Sequence, residues 1–317
     1  MKKILITGAT GQIGTELILE LRKKYGVENV IAVGHSRPAS GDLSIGPFES
    51  CDVTNLKELE TLFQKHSPDT IFHLVGILSA TGEKNPDLAW NVNMNGLKNV
   101  LDLSLKYSVK KIFWPSSIAS FGPNTPKENT PQHTILEPTT MYGVTKVAGE
   151  LLCQYYFKKY NLDIRSIRYP GIISYKTLPG GGTTDYAVAV YFEALEKKSY
   201  EFFVNEDTVL PMMYMPDAVS ATIDLMEAPI ENISIRTSYN LTAMSFSAKE
   251  LAEEVKKHIP DFAYSFNPDS RQEIANSWPK SIDDSFAKKD FNWIPKYDLT
   301  KMSEDMIENI KALNTKI

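Results

Sequence analysis

Tyr142-Gly143-Val144-Thr145-Lys146 places a phenol and an ammonium four residues apart, on one face of a helix if the stretch is helical. A free tyrosine titrates near ~10 and is a weak base at neutral pH. A lysine held beside it favours the phenolate, and the pair can then move a proton to or from a substrate hydroxyl. The same spacing is also a common solvated helix face, so the pair decides little by itself. Its company decides more. Ser116-Ser117 follow an apolar run, Lys111 to Trp114, that reads as a strand, and their hydroxyls can donate to a substrate oxygen. Two serines before a loop are otherwise ordinary turn formers.

Upstream, Gly8-Ala9-Thr10-Gly11-Gln12-Ile13-Gly14 lies between the strand Ile4-Leu5-Ile6 and a helix over about Gly11 to Tyr25. Glycines here allow a tight turn and close approach of a pyrophosphate, and the helix N-terminus adds amides and a favourable dipole. The strand–loop–helix setting is what gives this glycine pattern its meaning as a dinucleotide site. Asp52, with Val53, ends the third strand, where a carboxylate can meet an adenine amino group; it reads equally as a turn residue before a Thr54 cap. Leu74-Val75-Gly76 lies past the fourth strand, on the edge where the cofactor would run. Asn93 or Asn95 is expected to bond the backbone of a neighbouring strand.

The elements that position these residues alternate. Strands at Val30–Val33, Thr70–Leu74, Lys111–Trp114 and Ile164–Tyr169 are interleaved with helical patterns over 55–65, 91–107 and 142–160. That alternation predicts right-handed βαβ units and an α/β fold of Rossmann type, a doubly wound parallel sheet. Residues 1–170 form the expected dinucleotide-binding domain. Residues 171–317 form a smaller substrate-binding lobe, interleaved with late elements of the main domain. There, Gly180-Gly181-Gly182-Thr183-Thr184 exposes amides and hydroxyls before a helix, a nest suited to a small carboxylate or a hinge. Trp278 is a candidate lid or local core.

Composition narrows the partners. A 317-residue chain with net charge −5 gives no reason to expect nucleic acid or an anionic membrane. Cys51 and Cys153 sit in apolar contexts, and the five histidines show no metal-site spacing, so no metal is expected. No leader or membrane-spanning run is evident, and the expected location is cytoplasmic.

Taken together, the glycine loop, the serine after the fifth strand and Tyr-x-x-x-Lys resemble the extended short-chain dehydrogenase/reductase family. Pro115-Ser116-Ser117-Ile118-Ala119, Arg168-Tyr169-Pro170-Gly171, Pro179 to Tyr186, Leu210 to Met215 and Asp283-Asp284-Ser285 look like its L-threonine 3-dehydrogenase branch, which is NAD-dependent. The resemblance spans essentially the whole chain. It implies that Tyr142 removes the proton from the 3-hydroxyl of L-threonine, giving 2-amino-3-oxobutanoate. It further implies that Lys146 lowers the tyrosine pKa and holds the nicotinamide ribose, and that Ser117, with Ser116 beside it, orients the hydroxyl. Ser79, Gly182, Thr183, Thr184 and Trp278 would hold the amino-acid end, and Tyr169, Pro170 and Ile172 would line the nicotinamide pocket. A homodimer through the two long helices is also implied.

Two rivals share the first half of the chain: a nucleotide-sugar epimerase or dehydratase, and a non-catalytic dinucleotide sensor. One departure from the pattern concerns the cofactor. NAD users carry an acid at the end of the second strand, and here Gly34-His35-Ser36-Arg37 puts glycine in its place. NAD is expected from the family, with NADP open because Ser36 and Arg37 can receive a 2′-phosphate.

Overall fold

Short aliphatic runs form the centre of the molecule because both of their faces are covered. In this computed structural model, which describes residues 1–178 and 180–314, β1 (Ile4–Thr7) and β2 (Val30–Gly34) are buried at every position. Parallel strands sandwiched between helices read as such continuous apolar stretches. With β3 (Phe48–Ser50), β4 (Thr70–His73), β5 (Lys111–Ser117) and β6 (Asp163–Tyr169) they build a parallel sheet. The chain then leaves through β7 (Gly171–Ile173), β8 (Ser199–Phe202) and β9 (Val209–Tyr214), and β10 (Tyr239–Asn240) returns to pair with β6. The seven-stranded order is β10-β6-β5-β4-β1-β2-β3. Connections diverge between β1 and β4, and the carboxyl ends of those strands open into a cleft, as a doubly wound sheet requires.

Leu5, Ile31, Ile71, Ile112 and Trp114 form one buried face. The opposite face, with Ile4, Ile6, Phe72 and Phe113, packs against residues of the helices Gln12–Tyr25 and Met215–Glu227. A third core, around Tyr186, Tyr191, Leu210, Phe246 and Trp278, fills the lobe, where β11 (Met244–Ser247), β9 and β7 form one small sheet and β12 (Ala263–Phe266) pairs with β8.

Three details differ from expectation. The fifth strand runs on to Ser117 because β6 pairs with it to the end, Ser116 opposite Arg168 and Ser117 opposite Tyr169. The two serines therefore end a strand instead of following it. The third strand stops at Ser50, two residues before Asp52. The helical stretch read from Asn91 starts at Pro86 and contains a single π turn, Asn91–Asn95, before continuing as Gly96–Lys106. Among the described residues no helix is long and apolar enough to cross a membrane. None of their His, Cys, Asp and Glu side chains cluster in a way that could hold a metal.

Candidate active site

The helix Met141–Tyr160 begins where Thr140 caps it, its hydroxyl accepting from Gly143 N at 3.1 Å. Position 143 must be glycine: a Cβ there would lie 2.2 Å from the Ala119 carbonyl. That close approach presses the first turn against the end of β5 and brings Tyr142 to Ser117. Lys146 is buried, donates to the Pro115 carbonyl at 2.6 Å and stands 4.6 Å over the Trp114 ring and 5.3 Å from the Tyr142 ring. Burial pushes the Tyr142 phenol up to about 12, and the Ser117 hydroxyl opposes it. Burial also draws Lys146 down to about 8, against the pull of Glu150. Lys146 is expected to lower the tyrosine pKa; among the protein's own groups, burial dominates at Tyr142 and the Ser117 hydroxyl is the group that opposes it.

Ser116 and Ser117 part company. Ser117 Oγ accepts from Ala119 N at 3.1 Å, which leaves its proton for another acceptor. Ser116 Oγ instead donates to Glu150 Oε1 at 2.6 Å. Glu150 also receives Arg168 Nε at 2.9 Å and Nη2 at 2.7 Å, and Arg168 Nη1 reaches the Gln132 carbonyl and Asn240 Oδ1. Ser116 lines the cleft but its proton points away, so the expectation that it shares the donor role is corrected. Sequence reasoning missed Glu150 and Arg168.

At the nucleotide end Gly8 adopts φ +75°, and a Cβ on Gly14 would lie 2.3 Å from Gly8 O, so both glycines are required by the turn. Thr10 and Gly11 complete this loop, and Gln12 Nε2 donates to Ile172 O at 3.3 Å. The helix after it has no side-chain cap and no acid in its first turn, so its leading amides remain for an anionic ligand. Gln12, Ile13, Leu74, Gly76, Tyr169, Pro170 and Ile172 line the same cleft as Tyr142 and Lys146. A dinucleotide fits this cradle. Asn93 acts at one remove: its Oδ1 accepts from Ile77 N at 2.7 Å, and its Nδ2 donates to Ile77 O and to Thr145 Oγ1. It pins the loop after Val75-Gly76 to the Tyr142 helix, with no donor left over for a cofactor. His73, also missed, shares a hydrogen bond with Thr7 Oγ1 at 2.7 Å.

Of the residues expected at the adenosine end, His35, Ser36 and Arg37 are exposed on a bend after β2. Asp52 Oδ1 accepts from both the amide and the hydroxyl of Thr54. The expected Thr54 cap is corrected: Asn55 caps the helix Leu56–His66, accepting from Lys57 N and Glu58 N. The Val53 side chain is buried against Gly96.

Of the residues expected to hold the substrate, Ser79, Ser117, Gly182, Thr183, Thr184 and Trp278 come together around the cleft. Trp278 is at once core and lining. The anion nest read from the glycines is already filled. Gly181 N and Gly182 N both donate to Asp185 Oδ2 at 2.7 Å. Pro179 lies outside the described residues. Asp185 itself lines the cleft; among the described residues it is the one carboxylate there, and Lys146 the one lysine or arginine.

A family model described as the NAD dependent epimerase/dehydratase family matches residues 4–241. The chain belongs to that family. An uncharacterized epimerase/dehydratase of Staphylococcus haemolyticus is 50% identical over 313 residues, 98% of each chain. An L-threonine dehydrogenase from Clostridium difficile superposes with TM-score 0.96 at 51% identity, over 99% of this chain and 98% of that one. The holo form of a GalE-like L-threonine dehydrogenase from Cupriavidus necator gives 0.95 at 48% identity, over 97% and 99%. Its apo form gives 0.84 at 44% identity, over 98% and 100%.

Proposed function

We propose that this family member oxidises the 3-hydroxyl of L-threonine to 2-amino-3-oxobutanoate. The observation that carries the reading is the charge pattern of the cleft. A diphosphate on the substrate needs cations or free amides of its own; among the described residues the lining offers only Lys146, which the chemistry itself uses, and the Gly181 and Gly182 amides are taken by Asp185. A small amino acid suits it better: Asp185 can receive an ammonium, and the Ser79, Thr183 and Thr184 hydroxyls can donate to a carboxylate. The 48–51% identity to solved L-threonine dehydrogenases supports the same choice.

A bound nicotinamide dinucleotide supplies the hydride acceptor. Ser117 donates to the substrate hydroxyl, and Tyr142 takes its proton. The buried phenol favours its neutral form, so its basicity rests on positive charge nearby. Lys146 provides one such charge, fixed by Pro115 and Trp114. The test is an assay of L-threonine against a UDP-hexose, with Tyr142→Phe as control. Threonine-dependent reduction of the cofactor is expected, falling on the order of 10²–10⁴-fold in the variant. No turnover of threonine, or near-normal kcat in Tyr142→Phe, overturns the assignment.

A second copy of the chain is the partner we propose. Val144, Leu151 and Tyr155 form one exposed stripe of the Tyr142 helix, and Leu88 and Trp90 are exposed on the neighbouring helical stretch. Light scattering of the wild type and Leu151→Glu checks it; a monomer in both excludes this face.

A further inference from the structure

We propose that the adenosine end of the cleft accepts a 2′-phosphate, so that this chain binds NADP(H) as well as NAD(H). The inference rests on the reading above only in requiring a nicotinamide dinucleotide. The decisive position is Gly34, the last residue of β2, which lies against the glycine loop: Ala9 N donates to Val33 O, and a Cβ on Gly34 would stand 3.2 Å from Thr10 Cγ2. An acidic side chain here would bond the ribose hydroxyls and repel a phosphate. The chain has no acid at this point, and it has closed the space. The same Cβ would lie 2.8 Å from the tip of the Phe48 ring and 3.0 Å from the Arg37 carbonyl.

The remaining carboxylates of the two strand ends are engaged elsewhere. On β3, Phe48 and Ser50 share one face, and Ser50 Oγ donates to the His35 carbonyl at 3.5 Å. Glu49, on the other face, holds Lys65 at 2.7 Å and His66 at 2.8 Å. Asp52 gives Oδ1 to Thr54, and its remaining charge faces the His35 imidazole, not position 34. Beyond Gly34 the exposed bend carries a hydroxyl, an imidazole and a guanidinium, those of Ser36, His35 and Arg37. The Arg37 guanidinium has no hydrogen bond or ion pair among the described residues. An unpaired guanidinium beside a strand end that carries glycine in place of an acid is suited to bidentate binding of a phosphate.

Calorimetric binding of two fragments isolates this end without relying on turnover: 5′-ADP and 2′,5′-ADP. We expect 2′,5′-ADP to bind at least as tightly as 5′-ADP, and more weakly as salt rises. Arg37→Ala should weaken 2′,5′-ADP tenfold or more and 5′-ADP less than threefold. Gly34→Asp combined with Phe48→Ala, which makes room for the acid, should reverse the order of the two fragments. The proposal is overturned if 2′,5′-ADP binds more than tenfold weaker than 5′-ADP, or if Arg37→Ala weakens both alike. Failure of both fragments to bind would instead sink the dinucleotide reading itself. Full-length NADP should follow 2′,5′-ADP in all three proteins.

Discussion

Ser116 and Ser117 are neighbours on β5 whose hydroxyls serve opposite sides of it: Ser116 Oγ donates to buried Glu150 at 2.6 Å, while Ser117 keeps its proton beside Tyr142. Strand alternation enforces the split. Ser117→Ala should therefore lower kcat on the order of 10²-fold, as loss of a positioned hydrogen bond to the reacting oxygen does. Ser116→Ala should leave kcat within a few-fold and lower stability by roughly 1–3 kcal/mol, since a buried carboxylate loses a donor. Steady-state kinetics and urea unfolding of both variants check this; equal kinetic losses would contradict it.

Glu150 and Arg168 form a bidentate pair with side chains only 1% and 3% exposed, so removing one charge strands the other. Glu150→Gln should cost about 3–5 kcal/mol, whereas Glu150→Leu with Arg168→Met should recover most of it. Glu150 also opposes the burial that lowers Lys146. The stable double variant should thus still show a Lys146 that loses its proton at lower pH, seen as an acid-ward shift of the alkaline limb of kcat. Wild-type stability in the single variant would show that the pair carries no such burden.

How much of this was legible in the sequence depends on whether a signal is local. The glycine loop, the Tyr142 helix and the strands β1, β2, β4 and β6 are continuous patterns in one stretch of chain, and they stand where read. The Glu150–Arg168 pair joins a helix to a strand 18 residues on, and each charge alone resembles a solvated one. Asn55, Thr54 and Asp52 are all competent caps, and only the backbone path selects Asn55. In the lobe, β8 and β12 are four-residue strands with alternate positions exposed, too short for a period to emerge. β9 contains Pro211, which reads as a breaker. It is tolerated because β7 begins to pair only at Met212.

Asp185 organises the substrate loop by filling the amides of Gly181 and Gly182. Gly181 sits at φ +95°, a conformation that this bond holds and few other residues adopt. Asp185→Asn removes the charge from both the loop and the proposed ammonium contact. The KM for threonine should rise about tenfold or more, roughly 1.4 kcal/mol, with cofactor affinity within twofold. Kinetics at saturating cofactor and separate cofactor titration decide it. An unchanged KM would confine Asp185 to holding the loop.

His73 gives the fold a specific acid sensitivity. It is fully buried, bonded through Nδ1 to Thr7 Oγ1, and its Nε2 meets no partner among the described residues. Burial first, and the charge of Lys146 second, lower its pKa to about 3 from 6.5. The unfolded chain binds a proton at this imidazole below 6.5, while the folded chain does not until about 3. Unfolding therefore takes up a proton throughout that window, and stability falls as the pH falls through it. The contribution is complete above pH 6.5 and declines by about 1.4 kcal/mol per unit below it, roughly 3 kcal/mol by pH 4. His73→Gln keeps a polar partner for Thr7 and cannot titrate. The variant should be less stable than wild type at pH 7, but its loss between pH 7 and 4 should be smaller by about that amount. Urea unfolding at both pH values measures the difference of differences. Parallel acid losses in the two proteins would mean that carboxylates alone set the acid limit.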